Sequence, residues 1–170
     1  FGHDLPAMRA AITPATRILF VANPNNPTGT WIAPEVLEAF IASIPEDVLV
    51  VLDAAYDEYL EPAQQARSAA WTGTYANLIV SRTFSKAYGL AALRVGYGIM
   101  NAEVAGMLNR VRQPFNVNAL AQAAAVAALA DTEYVDASRT LNRAGMRQLE
   151  DGAKALGLAF IPSHGNFLLL

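Results

Sequence analysis

Apolar residues along this chain fall into two kinds of run. Short blocks rich in Val, Ile and Leu occur at Arg17–Ala22 (RILFVA), Val48–Leu52 (VLVVL), Asn77–Ser81 (NLIVS) and Val95–Met100 (VGYGIM). The first three barely alternate, which predicts strands covered on both faces of a parallel sheet. Between the first two lies a helical stripe of Val36, Leu37, Phe40, Ile41 and Ile44. Pro34 suits its first turn, Glu35 and Glu38 favour the positive helix end, and Pro45 stops it. Strand, helix and strand with short returns predict a right-handed parallel crossover.

Beyond the fourth block the period turns helical. Ala102–Val111 reads as one helix and the Ala-rich stretch Asn118–Ala130 as another. A long helix is predicted from about Thr132 to Leu156, with Met146, Leu149, Ala153 and Leu156 along one face and Gly157 as its C-cap. Ala159–Ile161 and Asn166–Leu170 return to strand. The pattern predicts an α/β fold whose mostly parallel sheet lies in residues 1–140. A boundary inside the long helix makes residues 141–170 the start of a smaller α+β domain.

Composition narrows the function classes. Of 170 residues, 54% are hydrophobic and 16% charged, against roughly 25% charged in ordinary soluble domains. A disordered chain is excluded, and the apolar surplus predicts burial against a partner subunit or further parts of the protein. A net charge of −3, with no basic run, disfavours nucleic acid and anionic membranes as partners. There is no cysteine, and His3 and His164 lie far apart, so neither disulfides nor a metal site are expected. No apolar stretch approaches the ~20 residues of a membrane span. The first residues, FGHDLPAMRAAI, carry neither an initiator Met nor a signal-peptide pattern, and the last, GNFLLL, read as strand. Both ends are therefore expected to continue into a longer protein, and a cytoplasmic location is expected.

Open parallel sheets bind ligands beyond the carboxyl ends of their strands. Three polar clusters follow the first three apolar blocks: Asn23–Gly29 (NPNNPTG), Asp53–Tyr59 (DAAYDEY) and Arg82–Leu90 (RTFSKAYGL). The topology carries all three to one edge. The chain has ten arginines and only two lysines, Lys86 and Lys154. Lys154 lies among charges on the long helix, whereas Lys86 stands at a strand end among hydroxyls. Lysine can form a Schiff base with an aldehyde, which arginine cannot. Thr83, Ser85 and Arg94 can form an anion site beside it, Asp53 can pair with a protonated ring nitrogen, and Tyr56 and Asn26 can donate to a ring oxygen. Taken singly, each has a structural alternative: a turn at NPNNPTG, a helix N-cap at Asp53, a core aromatic at Tyr56, and an ion pair of Arg94 with Asp57 or Glu58.

Together, Asn26-Pro27-Thr28-Gly29, Asp53-x-x-Tyr56, and Ser85-Lys86 followed by Arg94 resemble the class I/II aminotransferase signature. These are pyridoxal-phosphate enzymes of the aspartate-aminotransferase fold. Within that class NPNNPTG, LDAAYDEY and RTFSKAYGLAALRVGYG are most similar to the histidinol-phosphate aminotransferases. The resemblance implies pyridoxal 5'-phosphate as cofactor, with Lys86 as the lysine that binds it covalently and shuttles the proton. It further implies Asp53 on the pyridinium nitrogen, Tyr56 and Asn26 on the ring oxygen, and Thr83, Ser85 and Arg94 at the phosphate. Asn166 matches a small-domain position near the substrate. The implied substrates are L-histidinol phosphate and 2-oxoglutarate, the pathway histidine biosynthesis, and the assembly a homodimer. Aromatic-amino-acid aminotransferases and threonine-phosphate decarboxylases share the machinery, and non-catalytic sensor modules keep the lysine. Family members are longer. Their phosphate loop, their ring-stacking aromatic and the arginine for the substrate carboxylate have no counterpart here, the last arginine being Arg147. The resemblance thus implies that this stretch alone does not complete a catalytic cycle.

Overall fold

A computed structural model describes all 170 residues. A short helix α1 (Leu5–Ala10) precedes β1 (Ile18–Ala22), α2 (Pro34–Ala42), β2 (Leu49–Asp53), α3 (Ser68–Trp71), β3 (Leu78–Thr83) and β4 (Gly96–Met100). Three helices follow: α4 (Ala102–Val111), α5 (Ala119–Ala130) and α6 (Thr132–Ala155). Single 3-10 turns lie at Asp57–Tyr59 and Ala91–Leu93. The strands form one sheet in the order β1-β2-β3-β4. β1, β2 and β3 are parallel, and β4 is antiparallel to β3. All four blocks read from the sequence are strands, and the sheet is mostly parallel.

Register assigns the two faces. Side chains alternate along a strand, so Val21, Val50, Leu52, Leu78 and Val80 share one face. They bury it against Leu37, Phe40 and Ile41 of α2 and against Trp71 of α3. Val36, the fifth apolar residue of the α2 stripe, points to solvent. The opposite face carries Ile18, Phe20, Leu49, Val51 and Ile79, with Asp53 at its carboxyl end. The expectation of strands covered on both faces is corrected here. Phe20 is 66% exposed, and farther along this face α4 stands across an apolar cavity of about 960 Å³ bounded by Ile18, Val51, Ile79 and Met107.

A second, smaller core gathers Phe84, Val95, Ala121 and Ala125, with Tyr88 and Tyr97 packed beside it. It fastens the loop after β3 to α5. At the end of α6, Gly157 adopts φ +69°, and the Gly157 and Leu158 amides donate to the carbonyls of Lys154 (3.0 Å) and Ala153 (2.9 Å). This is the left-handed glycine cap that the sequence predicts. Of the predicted α6 stripe, Met146 and Ala153 are buried, but Leu149 and Leu156 are exposed. The two tail strands are also corrected. Only one antiparallel bridge, Ile161 to Leu169, forms, since no third strand lies beside the pair to extend the ladder.

Candidate active site

The site is built at the carboxyl edge of β1, β2 and β3. The segment after β1 is pinned by Asn23, whose buried side chain accepts from the Ile32 amide (2.7 Å) and donates to the Ile32 carbonyl (3.1 Å). The loop therefore closes on itself and leaves Asn26 outward. Gly29 at φ +70° completes it. The His164 amide donates to the Gly29 carbonyl (2.8 Å), and the His164 ring lies 5.3 Å from Trp31. Burial pushes the His164 imidazole below its ordinary value. The chain's tail is thereby latched to the NPTG loop.

After β2, Asp53 is exposed at the strand end. Its Oδ1 accepts from the Ala55 amide (3.2 Å) and lies 3.4 Å from Ser81 Oγ on β3. It does not cap a helix: the turn that follows starts at Asp57, with Tyr56 before it. The Tyr56 ring is buried, and its hydroxyl accepts a hydrogen bond from Asn26 Nδ2 (3.0 Å). The phenolic hydrogen is left to donate elsewhere. Lys86 Nζ stands 5.4 Å from the centroid of the same ring.

The loop carrying Lys86 starts with a turn in which Thr83 Oγ1 accepts from the Ser85 amide (3.1 Å). Phe84 then plunges into the second core, its ring 5.0 Å from Tyr88 and 5.4 Å from Tyr97. At the far end of the loop, Arg94 takes a left-handed conformation, φ 53°. Such a conformation is costly for any residue with a side chain and gathers at functional sites. Its guanidinium donates to the Ala91 carbonyl (2.8 Å) and reaches Ser85 Oγ (3.4 Å).

Asn26, Tyr56 and Lys86 are thus brought together directly, Thr83, Ser85 and Arg94 form a second group at the mouth of the Lys86 loop, and Asp53 stands on the adjoining strand end. Asn166 is exposed and makes no side-chain hydrogen bond. Its neighbour Phe167 is the residue that meets the group, edge-on to Tyr56 with ring centroids 5.2 Å apart. Sequence reasoning missed Phe167, although GNF placed it next to a residue already singled out.

The structural alternative for Arg94, an ion pair with Asp57 or Glu58, does not form. Both carboxylates bind Arg82 instead, at 2.8 Å each, because Asp57 and Glu58 turn inward beneath β3 while Arg94 stays at the surface. Burial raises both carboxyls above their ordinary range, only partly offset by Arg82. Burial alone would lower the Arg82 pKa, but the two acids outweigh it and hold the guanidinium charged.

Residues 1–170 match the family model for aminotransferase class I and II. The chain belongs to that family. It is 61% identical to a histidinol-phosphate aminotransferase of Ralstonia nicotianae over 170 residues, covering 100% of this chain and 46% of that protein. Among solved structures, histidinol-phosphate aminotransferase from Sinorhizobium meliloti in complex with pyridoxal-5'-phosphate superposes with a TM-score of 0.92 at 34% identity. It covers 98% of this chain and 45% of its own. Aspartate aminotransferase from Thermus thermophilus with maleate gives 0.86 at 29% identity, covering 98% and 45%. The chain therefore spans about half the length of the relatives it matches, and it has the aspartate-aminotransferase fold over that span.

Proposed function

We propose that the protein of which this chain is a part is a pyridoxal-phosphate aminotransferase of histidine biosynthesis, acting on L-histidinol phosphate and 2-oxoglutarate. One observation carries the reading. A free tyrosine hydroxyl hydrogen, an amide donor and a lysine amine converge at Tyr56, Asn26 and Lys86, beside the hydroxyl and guanidinium group of Ser85 and Arg94. The cofactor presents a ring oxygen, an aldehyde carbon, a phosphate and a ring nitrogen, and the residues fit each. Tyr56 and Asn26 donate to the ring oxygen. Lys86 supplies the amine for the aldehyde carbon. Thr83, Ser85 and Arg94 hold the phosphate, which a guanidinium and hydroxyls suit. Asp53, at the edge of β2, keeps the ring nitrogen protonated.

When bound, the cofactor draws electrons away from the substrate's Cα. Lys86, whose amine would hold the aldehyde carbon, would with that amine free take the proton from the substrate's Cα and return it to the cofactor's former aldehyde carbon, so one side chain would serve as both base and acid. Phe167, edge-on to Tyr56, borders the space for the substrate, and the exposed Asn166 beside it is the tail residue proposed to bind it. The donor follows from relatives over the whole chain that carry the name histidinol-phosphate aminotransferase. Those names favour it over aromatic amino acids and threonine phosphate.

The same reading makes the protein a cytoplasmic homodimer, supported by bare apolar side chains such as Phe115, 97% exposed on the α4–α5 connection. No helix is long and apolar enough to cross a membrane. It also keeps a domain boundary near residue 140, supported by a bond within residues 141–170, from Asn142 Nδ2 to the Gly165 carbonyl (3.1 Å).

The test uses the full-length protein. Steady-state rates with histidinol phosphate, phenylalanine and threonine phosphate, each with 2-oxoglutarate, should favour the first in kcat/KM. A tenfold preference for either other donor overturns the choice of substrate. Borohydride reduction with pyridoxal phosphate followed by peptide mapping should label Lys86, and a label elsewhere overturns the site.

A further inference from the structure

The most deeply buried charges in the chain play no part in the reading above. Arg82 donates to Asp57 Oδ2 and to Glu58 Oε1, both at 2.8 Å. The arginine side chain is 15% exposed and each acid side chain 7%. One cation faces two anions, and the group is not even fully satisfied: Arg82 Nε and Glu58 Oε2 are buried without partners. Such a cluster is a weak source of stability. Desolvating three charges costs several kcal/mol per ion, and apolar packing of similar volume usually does as well or better. Its location points to another use. Asp57 and Glu58 directly follow Tyr56, and Arg82 lies on β3 just ahead of Thr83, Ser85 and Lys86. A third segment joins in, since Arg139 Nε of α6 donates to the Glu58 carbonyl (3.0 Å).

We propose that Arg82 is a positioning residue for the site: its rigid fork, held by Asp57 and Glu58, fixes the distance between the loop that presents Tyr56 and the loop that presents Lys86. The inference rests on the functional reading given above and deepens it. No hydrogen bond links Tyr56 or Asn26 to the Lys86 side chain, so their spacing is inherited from the backbones that carry them. The two backbones emerge from neighbouring strands, β2 and β3. Ladder bonds hold them as far as Asp53 and Ser81, and the Ala54 amide adds one bond to the Ser81 carbonyl (3.0 Å). Past that point the guanidinium is the cross-link. Its planar donors tolerate little change of angle, which an ammonium would allow. A shift of 1 Å between reacting groups is worth about 100-fold in rate.

The experiment uses the full-length protein loaded with pyridoxal phosphate, as wild type, R82Q and the triple variant D57N/E58Q/R82Q. The triple variant replaces the charges with neutral amides and so keeps the cluster from expelling unpaired carboxylates, should R82Q fail to fold. Three quantities are read: kcat and KM for histidinol phosphate, the pH midpoint of the bound cofactor's visible absorbance, and the thermal midpoint. A positioning role requires kcat to fall about 10- to 100-fold with KM changed less than about threefold. It also requires the absorbance midpoint to move by about half a pH unit or more, because the environment of the Lys86 nitrogen changes. R82K, with charge but no fork, should fall between wild type and R82Q. A folded triple variant with wild-type kcat and absorbance midpoint, changed only in thermal midpoint, overturns the proposal and leaves the functional reading intact. A wild-type protein in which borohydride labels no Lys86 removes both.

Discussion

Gly29 offers the sharpest test of how the tail and the NPTG loop are fitted together. Its φ of +70° is a left-handed conformation, which costs a residue with a Cβ about 1–2 kcal/mol. A methyl group there would also overlap Ser163 Oγ and Cβ and sit 2.7 Å from Ser163 Cα. Overpacking of that severity costs about 1–3 kcal/mol. The segments cannot simply part, because the His164 amide is bonded to the Gly29 carbonyl. Against these stands a gain of about 0.4–1 kcal/mol from a stiffer unfolded chain. Gly29→Ala should therefore destabilise by about 1–5 kcal/mol. Urea unfolding, followed through Trp31 fluorescence at the junction, measures it. Ser163→Gly removes the overlaps with the serine side chain but leaves the clash with its backbone and the left-handed penalty, so in the double variant only part of the loss returns. Complete rescue by Ser163→Gly, or a Gly29→Ala midpoint equal to wild type, would refute the reasoning.

Other perturbations separate packing, chemistry and charge. Leu37→Ala, at a fully buried position between α2 and the sheet, should cost about 2–5 kcal/mol in urea unfolding. Lys86→Ala should abolish the borohydride label and the visible absorbance of bound cofactor while changing stability by no more than about 0.5 kcal/mol, since the side chain is exposed. The buried acids make stability depend on pH in a stated direction. Asp57 and Glu58 hold protons to higher pH when folded than when unfolded. Their contribution is therefore fully present below the ordinary carboxyl pKa, about 4, and is lost as pH rises through the raised folded values. Glu58→Gln should accordingly compare better with wild type at pH 7 than at pH 5, and parallel stability curves would contradict this. His164 acts oppositely: its pKa is lowered on folding, so its contribution is present above about 6.5 and is lost as pH falls. His164→Gln should flatten the decline on that side of neutrality.

The sequence carried the sheet because blocks such as VLVVL and NLIVS have no helical period, and it carried the site's edge because polar clusters directly follow those blocks. Asn26, Tyr56 and Lys86 could be brought together from topology alone. The direction of β4 could not, since VGYGIM reads the same as a parallel or an antiparallel strand. Arg82 was missed for a related reason. Its neighbours Thr83, Ser85 and Lys86 drew attention to the strand end, while nothing in the residue order says which way Asp57 and Glu58 turn after Tyr56. The exposed Leu149 and Leu156 on α6, and the bare Ile18 and Phe20 on β1, show a different limit. An apolar stripe records that a face is suited to burial, not which segment, if any of these 170 residues, buries it.

The antiparallel return of β4 has a consequence of its own. Thr83 pairs with Gly96, and the Phe84 amide reaches the Val95 carbonyl (3.2 Å), so the polypeptide between them leaves and re-enters the sheet through one narrow neck. A side chain on Gly96 would strike the Arg82 carbonyl at 2.7 Å, which keeps that neck tight. Lys86 and Arg94 stand just inside its two rims, three residues after β3 and two before β4. The tip between them is bonded to both flanks: the Gly89 amide donates to the Lys86 carbonyl (2.9 Å), the Leu90 amide to the Phe84 carbonyl (2.9 Å), and the Arg94 guanidinium to the Ala91 carbonyl (2.8 Å). The two groups proposed to grip the cofactor's ends are thereby tied to each other through the tip, so a change in its length would be felt at both.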